Sequence, residues 1–235
     1  MRLRVVDFET TGAEGSEVIE AGIVDLTRID GGWCVSEPRS QFFRPQGEVS
    51  IQARAVHHIP DLALRSAAPA AADAVETYLE EGAVVDAFVA HHAAFECSFL
   101  PRLAKKAWIC TAKTSRRAWP QAPGHSNQVL RYWLKLDLDA SLALPAHRAG
   151  PDAYVTAHIL KNLLETESVE TLLEWTTQPA VVSFGKYKGR PWDEVPLAYL
   201  HWMLSEQGMA EHWRAASRRE LDRRGVEHLT AEAAQ

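Results

Sequence analysis

Two carboxylates stand two residues apart where an apolar run ends, near the start of this 235-residue chain. The run Val5-Val6 leads into Asp7, Phe8 and Glu9. Side chains alternate in direction along a strand, so Asp7 and Glu9 should point to the same side. Paired acids repel each other and are costly to bury without a cation, and their hard oxygens suit Mg²⁺ or Mn²⁺. The pair therefore indicates a metal site for phosphodiester chemistry, the alternative being an acidic turn without a catalytic role.

A third acidic position, Glu96, follows the apolar segment 84–90. The sequence Ala90-His91-His92-Ala93-Ala94-Phe95-Glu96 is expected to end a buried strand and to begin a helix. Glu96 would then lie on the first helical turn, near the carboxyl edge of the sheet where α/β proteins bind their ligands. The alternative is that Glu96 only interacts with the helix dipole, because acids are favoured in a first turn.

A fourth acid, Asp152, lies in a Gly-Pro-Asp sequence that should begin a long helix over 149–164. Apolar residues follow at helical spacing, so Asp152 is expected to be buried. His147 precedes Asp152 by five residues on a loop. A histidine beside such a site could act as a general base, because imidazole titrates near neutral pH. The alternative is a surface histidine, one of ten in the chain.

Hydrophobic patterns place these residues in an α/β fold, a mixed sheet with helices on both faces. A three-stranded antiparallel meander is expected first, with Gly31-Gly32 as the turn between its second and third strands. Strands and helices then alternate. The predicted strands cover 2–8, 18–26, 33–44, 84–90 and 109–111, and the predicted helices cover 53–58, 69–81, 93–104, 127–134 and 149–164.

The pattern breaks near Thr176-Thr177-Gln178-Pro179, which we interpret as a linker. We therefore expect a large domain over 1–170, a small C-terminal α+β module over 178–226 and a flexible tail over 227–235. The module should contain a strand over 180–184, a turn over 185–190, and helices over 196–205 and 211–224.

The turn of this module is Gly185-Lys186-Tyr187-Lys188-Gly189-Arg190, which combines basic groups with an aromatic ring. Such a combination suits single-stranded DNA. The alternatives are a solvated hairpin over a small aromatic core, or a surface that docks a protein.

Composition excludes several classes of protein. The chain is 46% apolar and 24% charged, and no run of about 18 apolar residues exists, so no membrane span or membrane partner is expected. The strand pattern starts directly after Met1, so we expect no signal peptide. Three scattered cysteines favour reduced thiols and a cytoplasmic protein.

The formal net charge of −6 disfavours a nucleic-acid partner at first sight. The charge is uneven, however, because residues 176–225 hold eight Lys or Arg against six Asp or Glu.

Three ordered motifs resemble the DEDD-type 3′–5′ exonucleases, in the subclass that has a catalytic histidine. The motifs are Asp-x-Glu-Thr from Asp7, His-x-Ala-x-Phe-acid from His91 and His-x-Ala-x-x-Asp from His147. The segment 53–59 also resembles the family's Ala-x-x-x-His-x-Ile segment beside the nucleotide site. The C-terminal Phe184-Gly185-Lys186-Tyr187-Lys188-Gly189 is most similar to the exodeoxyribonuclease X branch, which pairs a nuclease domain with such a module.

The resemblance implies a ribonuclease H-like mixed sheet and release of nucleoside monophosphates from DNA 3′ ends, in repair or proofreading. The DNA would be single- or double-stranded, and two Mg²⁺ ions would be required, with Mn²⁺ able to substitute. The implied metal ligands are Asp7, Glu9, Glu96 and Asp152, and the implied catalytic residues are His147 and Glu9. The residues implied to contact the terminal nucleotide are Thr10, Thr11, His57, Ile59 and Phe95.

Two positions depart from the family pattern, which has Asp where this chain has Glu96 and Asn where it has His92. Glutamate is one methylene longer and could still reach a metal from a helix set slightly back. Two other functions therefore stay open. One is an RNA 3′–5′ exonuclease of the same fold, and the other is a nucleic-acid-binding or polymerase-associated protein with an impaired nuclease centre.

Overall fold

The computed structural model describes residues 1–12, 15–82, 84–177, 181–182 and 184–226. These residues form two units, Met1–Thr177 and Gln178–Gln235, each of which is described by itself. Within the described ranges, no helix has the length and apolar character needed to cross a membrane.

The first unit alternates strands and helices around one sheet. Its strands are β1 Arg2–Thr10, β2 Val18–Ile29, β3 Gly32–Val35, β4 Arg39–Arg44, β5 Ala68–Pro69, β6 Ala87–Ala90 and β7 Trp108–Cys110. Its helices are α1 Ile51–His57, α2 Asp61–Leu64, α3 Ala72–Glu80, α4 Ala93–Ser98, α5 Thr111–Ala118, α6 Asn127–Trp133, α7 Ala149–Leu163 and α8 Val169–Thr177.

The strands lie in the order β5-β4-β2-β1-β6-β7, and β3 also pairs with β2. Strands β1 and β2 are antiparallel, whereas β6 is parallel to β1 and β7 is parallel to β6. The sheet is therefore mixed, as the sequence predicts. Because β1 and β6 are parallel neighbours, their carboxyl ends open on the same edge of the sheet.

Apolar residues cover both faces of the sheet, which explains why β6 is wholly apolar and why the consecutive residues Val5 and Val6 of β1 are both buried. On one face, Val5 and Val24 lie in a core cluster with Ile159 of α7. On the other face, Val6 lies in a second cluster with Leu79 of α3. This layered arrangement confirms an α/β fold with a mixed sheet between helices.

The structure corrects several element boundaries. The predicted strand over 33–44 is two strands, β3 and β4, which pair with different parts of β2 on either side of Pro38. The predicted helix over 93–104 ends at Ser98, and a short 3₁₀ turn follows at Leu103–Lys105, because Pro101 cannot donate a helical hydrogen bond. Strand β6 begins only at Ala87. Helices α2, α5 and α8 were not predicted.

Helix α8 places the end of the first unit later than the sequence pattern does. The hydroxyl of Thr176 accepts a hydrogen bond from the backbone N–H of Cys110 at 2.9 Å, and Lys113 Nζ donates to the Thr176 carbonyl at 2.7 Å. Thr176 and Thr177 thus belong to a helix packed on β7, and the rest of the predicted linker, 178–179, lies outside the described residues.

The second unit has a small apolar core under two helices, α9 Leu197–Ser205 and α10 Glu211–Arg223. The core residues are Val182, Trp192, Val195, Leu200, Met203 and Leu221. In the predicted strand over 180–184, Val181 forms an isolated bridge with Pro191, and residues 180 and 183 lie outside the described part. The predicted tail over 227–235 also lies outside it.

Candidate active site

Strand β1 carries Asp7 and Glu9 to the open edge of the sheet. In the antiparallel ladder with β2, Asp7 lies opposite Gly22 and Glu9 lies opposite Glu20. Opposite residues point to the same side of an antiparallel pair, so this side of the sheet carries a space at Gly22 and a third carboxylate at Glu20.

The space at Gly22 is filled by the start of α7. A β-carbon on Gly22 would lie 2.1 Å from the carbonyl oxygen of Ala149 and 2.6 Å from the backbone nitrogen of Gly150. No other residue type fits such a close approach without moving the backbone. The glycine therefore lets α7 begin directly beside Asp7, which brings Asp152, on the first helical turn, to the same place.

The structure places the carboxylates of Asp7, Glu9 and Asp152 close together, as the sequence predicts. One carboxylate oxygen from each lies within 4.8 Å of the other two. All three residues are at least partly buried.

Two hydrogen bonds fix the Asp152 carboxylate. Gln128 Nε2 donates to Oδ1 at 3.1 Å, and the backbone N–H of His147 donates to Oδ2 at 2.9 Å. Gln128 is in turn held by Arg131, which donates to its Oε1 at 3.3 Å. Gln128 was not recognised from the sequence, because its position on α6 gives no local signal of a contact 24 residues away.

Glu96 lies on the first turn of α4, just after β6, as expected. Its side chain is 3% exposed, and Oε2 has no hydrogen-bond partner among the described residues. Its charge lies near enough to Asp7 to raise the pKa of that carboxyl. Glu96 therefore approaches the cluster, although its oxygens lie outside the set of atoms within 4.8 Å.

Burial and mutual repulsion make this group of acids difficult to ionise. Burial, followed by the charges of Asp152 and Glu96, raises the pKa of Asp7 well above its ordinary value. Burial, followed by Asp152 and Glu20, raises the pKa of Glu9 to about 8, although Arg148 opposes this. Burial alone raises the pKa of Glu96 to about 8. Such a group binds protons or cations readily at neutral pH.

The fully buried Glu20 is already neutralised by a protein cation. Arg148 Nε and Nη2 donate to its two carboxylate oxygens at 2.8 and 2.9 Å, and the backbone N–H of Ala149 donates to Oε2 at 3.3 Å. The Arg148 guanidinium also lies 5.4 Å from the centre of the Phe42 ring. Glu20 is thus a structural acid that ties β2 to the start of α7.

His147 lies on the loop directly before α7, and its side chain is exposed. Its φ angle is 59°, in the left-handed region, and its backbone N–H rather than its ring donates to Asp152. Burial raises the pKa of Asp152, whereas the hydrogen bond from the His147 backbone and then the nearby His147 ring act to lower it. The imidazole therefore lies near the carboxylate cluster, at the solvent side.

The residues expected to contact the nucleotide differ in their burial and in the hydrogen bonds that they already form within the protein. Thr11 is 4% exposed, its backbone N–H donates to the Glu17 carbonyl, and its hydroxyl accepts from the Glu17 backbone N–H at 3.0 Å. Ile59 is 0% exposed and lies in a core cluster with Ile19. The Thr11 side chain thus belongs to the loop framework and the Ile59 side chain to the core, and contact of either residue with a nucleotide stays a prediction. Thr10, half-buried, remains at the open end of β1.

Phe95 keeps an exposed ring, whereas His57 is 3% exposed and its Nε2 is buried, so a ligand would reach that nitrogen only if neighbouring atoms moved. His57 Nδ1 accepts a hydrogen bond from the backbone N–H of Ile59 at 2.9 Å, so Nε2 carries the proton and has no partner among the described residues. Phe95 is 45% exposed beside Glu96, and its ring packs edge-on against Phe99. A donor and an exposed aromatic face are suitable contacts for a nucleotide.

These features define a nuclease of the exonuclease type, and comparison with known proteins agrees. The exonuclease family model named RNase_T matches residues 5–160. The chain therefore belongs to the DEDD-type 3′–5′ exonuclease family, and the resemblance found in its motifs is confirmed.

Comparisons with individual proteins are more specific than the family match. The chain is 33% identical over 211 residues to exodeoxyribonuclease 10 of Escherichia coli strain K12, covering 86% of this chain and 90% of that protein. It is similar to a solved structure of exonuclease X in complex with 5′ overhanging duplex DNA, with a TM-score of 0.62 and 34% identity over 74% of this chain and 99% of that one. Cell-death related nuclease 4 shares the fold, with a TM-score of 0.57 at 17% identity over 93% of this chain and 77% of that one.

The family generally uses divalent metals, and the donor set here fits such a cation. It consists of carboxylate oxygens, which are the ligands preferred by hard divalent ions. The buried Glu96 oxygen that has no hydrogen-bond partner in the described part of the chain, and the raised pKa values of Glu9 and Glu96, are typical of acids that lack a neutralising charge.

Proposed function

We propose that this protein is a 3′–5′ exodeoxyribonuclease that removes nucleoside monophosphates from the 3′ ends of single- or double-stranded DNA, in DNA repair or proofreading in the cytoplasm. The observation that carries the proposal is the convergence of Asp7, Glu9 and Asp152 beside the buried Glu96. The 33% identity to an exodeoxyribonuclease over 86% of the chain supports DNA as the substrate.

Asp7, Glu9, Glu96 and Asp152 would hold two Mg²⁺ ions, with Mn²⁺ able to replace them. When bound, the ions supply Lewis-acid stabilisation of the charge that develops on the phosphate. Gln128 and the His147 backbone hold the Asp152 carboxylate in position. Arg148 keeps the nearby Glu20 from competing for a cation.

His147 would accept the proton of the attacking water. Its ring is exposed and lies near Asp152, so it can exchange that proton with solvent after each cycle. Phe95 and His57 would contact the terminal nucleotide through a ring face and the Nε2–H donor, respectively. Contacts of this kind depend little on the identity of the base.

The test uses matched DNA and RNA oligonucleotides carrying a 5′ label, in single- and double-stranded form. We expect a ladder of products that shortens one nucleotide at a time from DNA 3′ ends with Mg²⁺ or Mn²⁺, and no cleavage with EDTA. Asp7→Asn should abolish the ladder, whereas Glu165→Gln, an exposed acid after α7, should leave it unchanged. Faster digestion of RNA, or internal cleavage, would contradict the proposal.

A further inference from the structure

The second unit has an exposed tryptophan that is not part of its apolar core. Trp202 on α9 is 44% exposed, and it lies outside the cluster built around Trp192, Leu200 and Met203. The other two tryptophans of the unit, Trp192 and Trp213, stack on each other with ring centres 6.5 Å apart. A single exposed ring is common on protein surfaces, so a binding surface is inferred here from the groups that surround Trp202.

Trp202 is the end of a continuous series of aromatic contacts. Its ring centre lies 5.0 Å from that of Tyr199, with the planes 35° apart, and Tyr199 lies 4.8 Å from Tyr187. Lys186 Nζ lies 5.6 Å from the centre of the Tyr187 ring. We call these four residues the aromatic face of the second unit.

Backbone geometry holds the aromatic face together. Tyr199 and Trp202 are three residues apart on α9 and therefore share one side of the helix. The turn Gly185–Tyr187 approaches that side so closely that a β-carbon on Gly185 would lie 2.6 Å from the Tyr199 hydroxyl. Gly185 also has a φ of 66°, which an L side chain rarely adopts. Glycine at position 185 is therefore required for the turn to pack against α9.

Positive charge that is not neutralised lies next to these rings. Lys186 and Lys188 are exposed, and neither has an ion pair among the described residues. By contrast, Arg190 pairs with Glu194 at 3.5 Å, Arg218 with Glu211 at 3.8 Å and Arg224 with Glu220 at 2.7 Å. Among the described side chains of this unit, the available cationic groups are thus concentrated on the turn.

We propose that the aromatic face binds single-stranded DNA, with a base stacked on Trp202 and phosphates beside Lys186 and Lys188. Every base has a face that can stack on an aromatic ring, and a neighbouring ammonium group can contact the backbone. Duplex DNA keeps its bases stacked inside and could use only the lysines. The proposal goes beyond cleavage, because it assigns a second contact with DNA that needs no 3′ end.

The experiment measures binding of the full-length Asp7→Asn protein to a fluorescently labelled, closed single-stranded DNA circle. A circle has no 3′ end, so the proposed cleavage centre is not offered its substrate. Trp202→Ala should weaken binding at least about fivefold, the effect of losing one stacked base, and Trp202→Phe should retain most of the affinity. Leu197→Ala, which removes an exposed apolar side chain from another side of α9, should have no effect.

A second pair of variants tests the charge. Lys186→Ala/Lys188→Ala should lower the slope of log K against log salt by about 1.4, which is two single-strand phosphate contacts. Lys105→Ala/Lys106→Ala removes two exposed lysines from the first unit and should leave the slope unchanged. All these positions are exposed, so none of the variants should unfold the protein.

The proposal is overturned if Trp202→Ala and the Lys186→Ala/Lys188→Ala variant bind the circle as tightly as the parent. It is also overturned if Trp202→Phe binds as weakly as Trp202→Ala, because that result excludes stacking. Loss of a dimer in Trp202→Ala, seen by light scattering with no change in DNA binding, would show that a second copy of the chain covers this face instead.

Discussion

The carboxylate of Glu96 is buried and lacks a hydrogen-bond partner for one oxygen among the described residues. A carboxylate in this state is costly unless a proton or a cation neutralises it. As a metal ligand, Glu96→Ala should lower kcat with Mg²⁺ at least about 100-fold, the upper end of the effect of removing a supporting group. Glu96→Asp keeps the charge and should retain or raise activity. Full activity of Glu96→Ala would mean that Glu96 only begins its helix.

The same carboxyl group should make the metal-free protein sensitive to pH. The pKa of Glu96 rises from an ordinary 4.5 to about 8 on folding, and that of Glu9 also rises to about 8. Between these pH values the two groups bind more protons in the folded chain than in the unfolded chain, so their contribution to stability falls as pH rises towards 8. Urea unfolding in EDTA at pH 5.5 and pH 8 measures this fall.

Glu96→Gln should flatten that pH dependence, because an amide has no proton to lose, whereas Glu165→Gln should leave it unchanged. Mg²⁺ should stabilise the parent protein more at pH 8 than at pH 5.5, since it competes with fewer bound protons there. An equal effect of Mg²⁺ at both pH values would contradict a carboxylate metal site.

His147 can be tested without straining the loop. Its φ of 59° lies in the left-handed region, which Asn tolerates better than Ala, and Asn keeps the backbone N–H that donates to Asp152. If the imidazole is the general base, His147→Asn should lower kcat by about 10²–10⁴. Metal and DNA affinities, measured by calorimetry, should stay close to those of the parent. A loss of metal affinity equal to that of Asp152→Ala would show that the ring is a ligand.

Residues near the ends of regular elements could be predicted from the sequence, whereas pairs that depend on strand register could not. Asp7, Asp152 and Glu96 are marked by an apolar run that ends or a helix that begins. The pairing of Glu20 with Arg148 joins residues 128 positions apart and requires β2 to lie under the start of α7. The sequence offers one signal of this pairing: Glu20 is the single charged residue in the apolar segment 18–24.

At the scale of elements, the contact between β2 and α7 determines where Asp152 lies. Gly22→Ala would force a β-carbon to within 2.1 Å of the Ala149 carbonyl oxygen, so the helix must move. We expect a loss of about 1–3 kcal/mol in the free energy of unfolding and a lower kcat, because Asp152 moves with the helix. Urea unfolding and the exonuclease assay provide the two measurements.

Gly150→Ala is the matched control for this change. Its β-carbon would meet Ser40 at 3.6 Å, an ordinary contact, so stability and activity should be preserved. If Gly22→Ala were as stable and as active as Gly150→Ala, the close approach of β2 and α7 would not position Asp152.

The sequence predicts helices and strands close to their observed positions where the hydrophobic pattern is long and periodic. Strands β1 and β2 and helices α6 and α7 lie close to the expected positions. Helix α5 was missed because its sequence Thr-Ala-Lys-Thr-Ser-Arg-Arg-Ala has a weak apolar pattern and is stabilised instead by packing on β7 and α7. The single predicted strand over 33–44 failed because Pro38 and its neighbours let two short segments pair with β2 separately.

At the scale of the whole molecule, each unit has an apolar core of its own. The acids that define the candidate site lie in β1, α4 and α7, all within Met1–Thr177. The second unit has two lysines, Lys186 and Lys188, and neither forms an ion pair with a residue that the structure describes. We therefore predict that the first unit carries out cleavage and that the second unit provides the additional DNA binding.

A chain ending at Thr177 should fold, cleave short DNA oligonucleotides at the parent's rate and bind the single-stranded circle more weakly. Thr176 must be kept, because its hydroxyl is the partner of the buried Cys110 backbone N–H. A chain ending at Glu174 leaves that donor unsatisfied and should be less stable by about 1–3 kcal/mol or more. Urea unfolding compares the two chains, and the exonuclease and binding assays compare each with the full protein. If the chain ending at Thr177 bound the circle as tightly as the full protein, the second unit would not hold DNA. If that chain folded but lost cleavage of short oligonucleotides, the second unit would contribute to catalysis itself.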